Sequence, residues 1–230
     1  MISAQGRAGG LITVIICYEV IDEATPEAMP RKTCPNCQRP PLVCYCSALV
    51  QVANTTRVLI IQHPQEQKHP FNTGRMAHMC LSNSELIVAE TLSATKLASI
   101  LNTPSALLYP SLPWLDNTLE IKPETKESAG YSNIQQLIVI DATWNKSKKI
   151  LHRNPALQEL PRLHLKGNLS SNYQIRKTTV ANGLSTLESI VKALSTIEPK
   201  GEFDAMLQPF EMMIGLQLKN CGGNGQHLDA

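Results

Sequence analysis

From residue 57 onward, short apolar runs alternate with amphipathic stretches. The runs at 58–62, 86–89, 106–109, 137–141 and 163–165 are brief, and most are rich in branched residues. Such runs read as strands buried on both faces. Between and after them, apolar positions recur at spacings of three and four. That period predicts helices at about 73–82, 94–101, 144–153, 185–197 and 204–219. The alternation predicts an α/β fold with a mostly parallel sheet flanked by helices. In such sheets ligands gather at the carboxyl ends of strands. Here that rule selects His63 to Glu66, Pro110–Ser111 and Asp141 to Thr143. The stretch 112–133 shows no periodicity and is expected to be a mobile surface loop. A disordered tail is expected at the extreme C-terminus.

The first 28 residues differ from the rest. They hold an apolar run at 11–18 and four acids against one Arg. No clean small-residue cleavage site follows the run, so an extension outside the core is expected rather than a secretory leader. Residues 29–50 are rich in Cys and Pro and read as a separate knuckle. Residues 51–220 form the expected α/β domain, and 221–230 the tail. No apolar run reaches the roughly 18 residues a membrane span requires.

Charge adds a local feature. The formal net charge is only +2. Between 141 and 180, however, eight Lys or Arg face two acids, Asp141 and Glu159. A basic surface there would attract phosphates, whereas a solvated helix face would carry the same charges without a partner.

Seven cysteines, four of them crowded into residues 34–46, suit a reducing compartment and a metal site. Cys34-Pro-Asn-Cys37 and Cys44-Tyr-Cys46 bring four thiolates close enough for one tetrahedral zinc ion. Such a site has no open position and would be structural. Reduced metal-free thiols and redox chemistry are the alternatives. Cys80 falls on the apolar side of a helix and is expected in the core.

The segment Leu137-Ile-Val-Ile-Asp141 ends a buried strand on an acid. Thr143 stands where it would cap the next helix. On that helix Trp144 and Leu151 suit packing, while Lys146, Lys149 and Arg153 share a basic stripe. The run Asp141-Ala-Thr-Trp144, followed by this basic helix, resembles the signature of the DTW-domain family. Other motifs agree in order: the cysteine pairs, Asn72-Thr73-Gly74-Arg75, the segment ending in Pro110-Ser111, Ser171-Asn-Tyr173-Gln-Ile-Arg176, and Thr186-Leu-Glu188. The resemblance covers about 31–218. Similar proteins usually carry Gly where this chain has Ala142. If that position needed φ > 0, alanine would cost about 1 kcal/mol.

Members of that family are tRNA-uridine aminocarboxypropyltransferases. The resemblance therefore implies a cytoplasmic enzyme that uses S-adenosylmethionine and tRNA, on a SPOUT-like fold with a knotted C-terminal region. It implies catalytic roles for Asp141, Thr143 and Trp144, with Asp141 as general base toward uracil N3. It implies donor contacts from Asn72, Thr73, Gly74, Arg75, Pro110, Ser111 and Glu188. It implies RNA contacts from Lys146, Lys149, Arg153, Tyr173 and Arg176. By spacing alone, Ser185 and Glu188 also read as a helix capping box. A SPOUT-type RNA methyltransferase and a zinc-containing RNA-binding module without catalysis are the rival readings. The oligomeric state has no signature in the sequence.

Overall fold

The computed structural model describes residues 32–110, 118–121, 131, 133–165 and 184–222. The N-terminal extension, Ser111, Tyr173, Arg176, the expected tail beyond residue 222 and the segment of the expected knot at 166–183 lie outside them.

Six strands form one sheet: β1 (Arg57–Gln62), β2 (Ser84–Val88), β3 (Ser105–Leu108), β4 (Thr118–Ile121), β5 (Gln136–Asp141) and β6 (Arg162–Leu165). Their order is β2-β1-β5-β3-β6-β4, and every pairing is parallel. Five helices accompany them: α1 (Thr73–Cys80), α2 (Ala94–Leu101), α3 (Trp144–Arg153), α4 (Thr186–Ile197) and α5 (Leu207–Gly222). The expected α/β class and mostly parallel sheet are therefore present. Strand β4 corrects the expectation of a structureless loop over 112–133. It is an edge strand of four residues, too short for a period-2 pattern to stand out. The last helix also begins later than expected, after a 3-10 turn at Phe203–Met206.

Alternate side chains of the central strands enter two cores. On one face Val58, Ile60, Leu137, Val139 and Ala106 pack with Met76 and Cys80 of α1, Leu187 and Val191 of α4, and Phe210 and Met213 of α5. On the other, Leu59, Ile61, Ile138 and Leu107 pack with Ile100 of α2 and with Ile150 and Leu151 of α3. Burial on both faces removes the polar alternation that a half-exposed strand would show.

This topology has a switch point, the place where such sheets open a crevice for ligands. Strand β1 leads through α1 to β2 on one side, and β5 leads through α3 to β6 on the other. The two strands are neighbours, so their connections diverge at a switch point of the sheet. Gln62 and Asp141 are register partners at the carboxyl ends of these two strands.

The knuckle joins the first core rather than standing apart from it. Cys37 and Tyr45 are buried among residues of β1, α1 and α5. Burial pushes the Tyr45 phenol well above its usual range. Within the knuckle, Gln38 adopts φ 59°, a left-handed conformation that favours glycine. Cys34 N donates to Arg39 O at 2.8 Å and Gln38 N to Cys34 O at 2.9 Å, closing the turn. Replacement of Gln38 by Gly is expected to stabilise the protein by about 1 kcal/mol, read as a higher urea midpoint. A lower midpoint would mean that the glutamine side chain contributes more than its backbone costs.

Candidate active site

The carboxylate of Asp141 is 8% exposed. Its Oδ2 accepts from Gln62 Nε2 at 2.7 Å, and its Oδ1 accepts from Thr186 Oγ1 at 2.6 Å. The strand end thus meets β1 and the first residue of α4. Gly74 lies against the same carboxylate. A Cβ built on Gly74 would sit 2.6 Å from Asp141 Cγ, so any side chain there would displace the acid. The first turn of α1 therefore abuts the carboxylate.

Gln62 is fully buried and its amide is used on both sides. Besides Asp141, it donates to Asn72 Oδ1 at 2.8 Å. Asn72 caps α1 through Arg75 N at 2.8 Å, and its Nδ2 donates to Glu66 O at 3.0 Å and Gln67 O at 3.3 Å. Thr73 is buried at the first helical position. The Arg75 guanidinium turns toward the main chain: it donates to Gln67 O at 2.5 Å and to Cys37 O at 3.4 Å. These bonds point it at the knuckle rather than at Asp141. On that side of α1, Arg75, Asn36, Gln38, Gln67 and His78 border an open cleft of about 530 Å³.

Beyond Asp141, Ala142 has no positive φ and packs against the second core. The conformational cost anticipated for alanine at 142 is therefore absent. Thr143 occupies the N-cap position of α3 but makes no side-chain capping bond, a correction to the expected cap. Trp144 is 40% exposed instead of packed in the core. Its ring stacks on Tyr109 at 5.5 Å and 11°, and Lys148 Nζ lies 5.1 Å from its centroid. Tyr109, at the end of β3 beside Pro110, is fixed from below by Ser147 Oγ at 2.9 Å.

The basic stripe is balanced in part by acids. Lys146 pairs with Glu66 at 2.8 Å. Lys149, at 3.0 Å, and Arg153 both pair with Glu90. The Lys149 hydrogen bond, with His63 and Arg153 adding, holds Glu90 below the usual carboxylate range. His63 Nδ1 accepts from Gln65 N, so its proton resides on Nε2, which donates to Glu90 at 2.7 Å. Glu188 closes the capping box with Ser185, at 2.8 Å and 3.2 Å, which is the reading its spacing allowed.

In the knuckle the sulfurs of Cys34, Cys37, Cys44 and Cys46 all lie within 4.8 Å of one another. Cys34 and Cys46 are 3.6 Å apart, as are Cys37 and Cys44. A tetrahedral ion with bonds of about 2.3 Å to sulfur needs edges of about 3.8 Å. The donor set therefore fits a metal ion. Main-chain N–H groups of Cys37 and Asn36 pull the Cys34 thiol down to about 6. Burial, with hydrogen bonds to Cys34 and Cys37 next, pushes the Cys46 thiol up. A cation would relieve this crowding of like charges.

The profile of the DTW domain matches residues 31–218. This chain belongs to the DTW-domain family. Several DTW relatives carry names. A Drosophila melanogaster protein named tRNA-uridine aminocarboxypropyltransferase 2 is 31% identical over 83% of this chain and 76% of its own length. A Macaca fascicularis protein of the same name is 27% identical, over 84% of this chain and 66% of its own. An Arabidopsis thaliana protein named tRNA-uridine aminocarboxypropyltransferase A is 26% identical over 75% of each. No solved structure matches the chain.

The DTW signature and the Asn-Thr-Gly-Arg motif, 66 residues apart in sequence, thus converge on one carboxylate. Sequence reasoning missed Gln62, which reads as an unremarked polar end to an apolar run, and assigned Thr186 no contact. Gly74→Ala is expected to lower turnover about 100-fold through misplacement of Asp141, with the fold retained by circular dichroism. Wild-type turnover in that variant would show that the acid's position is not critical.

Proposed function

We propose that this chain transfers the 3-amino-3-carboxypropyl group of S-adenosylmethionine to N3 of a uridine in tRNA. Methylthioadenosine is the leaving group, and the variable loop is the favoured position. The reading draws on the DTW relatives and on one structural observation above others. The acid that opens the signature is a held carboxylate at the switch-point crevice of the sheet.

Uracil N3 is a poor nucleophile while it keeps its proton. In this reading Asp141 takes that proton as the new N–C bond forms and the C–S bond breaks. Gln62 and Thr186 fix the plane of the carboxylate. A carboxylate beside the crevice also suits a cationic sulfonium donor. The donor has three carbons open to attack, so the chain's task is mainly to aim one of them. Asn72, Thr73, Gly74, Pro110 and Glu188 are the donor contacts in this reading, with Ser111 added on the resemblance alone, and Thr143 acts beside Asp141.

Trp144 supplies an aromatic face for a base, rigidly backed by Tyr109. Lys149 and Arg153 are about half exposed and can exchange Glu90 for phosphates. Tyr173 and Arg176 enter as RNA contacts on the strength of the resemblance alone. The four thiolates hold zinc as a structural staple, with no position left for catalysis. Among the described residues no helix is long and apolar enough to cross a membrane. The cytoplasm, where tRNA is handled and thiols stay reduced, is the proposed location.

The engagement of both Asp141 oxygens favours a second reading. In it the acid organises Gln62, Gly74 and Thr186, and the uridine proton leaves to solvent. Asp141→Asn separates the two. As a base, Asp141 gives a variant with kcat lowered at least ~100-fold, donor affinity within about twofold and unchanged melting. As an organiser, it gives a variant that loses donor affinity and melts earlier. Wild-type turnover in Asp141→Asn would exclude both.

A further inference from the structure

We infer that Arg75 is a positioning residue that couples the cysteine knuckle to the carboxylate of Asp141. The kinetic arm of its test rests on the transferase reading above; the spectroscopic arms do not. The path is a continuous run of hydrogen bonds. Arg75 Nη1 donates to the main-chain oxygen of Cys37, one of the four clustered thiol residues. Arg75 Nη2 donates to Gln67 O, which also accepts from Asn72 Nδ2 at 3.3 Å. Asn72 Oδ1 accepts from Gln62 Nε2 at 2.8 Å, and the same nitrogen reaches Asp141 Oδ2 at 2.7 Å.

Three features make this run a mechanical link rather than a set of separate contacts. Asn72, Gln62 and Asp141 are buried, so few waters are at hand there to replace a broken bond, while Arg75 closes the run at the edge of the open cleft. Arg75 bridges two carbonyls from segments 30 residues apart, which suits a planar fork and not the single ammonium of lysine. Gly74 leaves no clearance between α1 and Asp141, so a shift of the helix start is felt at the acid. The knuckle thereby does more than close the chain: its conformation sets the register of α1 against the carboxylate. Its metal state is then transmitted from Cys37 to Asp141, 104 residues later in sequence.

The test uses zinc-loaded full-length protein with Arg75→Lys or Arg75→Gln. Side-chain amide resonances of Gln62 and Asn72 are followed by NMR, with Asn154 as control. Asn154 is held by Glu90 O and Ile150 O, outside the run. Both variants are expected to keep one zinc per chain and to shift the Gln62 and Asn72 amides while Asn154 stays in place. Chelation of zinc from the wild type is expected to shift the same two amides. Turnover should fall about tenfold with donor affinity within about twofold, the split expected of misalignment. Coupling is reciprocal, so Asn72→Asp should alter the cobalt–thiolate absorption of cobalt-loaded protein. That arm reads out even where the Arg75 variants fail to fold. Unchanged Gln62 and Asn72 amides in the Arg75 variants, or an unchanged cobalt spectrum in Asn72→Asp, would overturn the inference. If wild-type protein transfers nothing to tRNA while the spectroscopic shifts occur, the transferase reading fails and the coupling stands.

Discussion

One buried amide holds the candidate site together. Gln62 is fully buried with two N–H donors, and it gives one to Asn72 and the other to Asp141. A buried amide left without partners costs on the order of 1–3 kcal/mol, and a buried carboxylate more. Each of the three residues therefore depends on the other two being in register. Since Gln62 ends β1, Asn72 starts α1 and Asp141 ends β5, the requirement fixes three elements against each other. Thr186 adds the start of α4 to the same point. The crevice between diverging strands thus comes with its polar groups already arrayed, which is the condition for catalysis by positioning.

The knuckle and the carboxyl edge of the sheet look like separate modules in the sequence, and the fold merges them. Cys37 and Tyr45 lie in the same core as the central strands. Arg75, expected among the donor contacts, reaches back to Cys37 and Gln67. A small cysteine cluster that buries its own residues against α1 and α5 constrains more of the chain than its length suggests. This explains why a Cys-rich segment with little core of its own needs no further staple.

Periodicity made most of the fold legible. Among the described residues, five of six strands and five helices stand where apolar spacing places them, the last helix displaced by three residues, because buried strands and amphipathic helices write their period directly into the chain. Strand β4 escaped, since an edge strand of four residues offers too few positions for a pattern. Asp141 was legible because an acid ends an apolar run, and Glu188 because capping boxes have a fixed spacing. The partners of Asp141 were not legible. Gln62 and Thr186 meet it only through strand register and helix placement, which no local pattern records. The neutralisation of Lys146, Lys149 and Arg153 by Glu66 and Glu90 was hidden for the same reason. Trp144 shows the limit from the other side: helical spacing marks it for packing, yet two-fifths of it stays exposed above Tyr109.

The account stands on the donor occupying the carboxyl edge of the sheet, in contact with the Asp141 crevice. A crystal structure of the protein with S-adenosylmethionine tests this most directly. The account predicts the donor against the ends of β1, β3 and β5, with its sulfonium facing the Asp141 carboxylate. A donor seated instead in the cleft between the knuckle and the far side of α1, beside Asn36, Gln38 and His78, would contradict it.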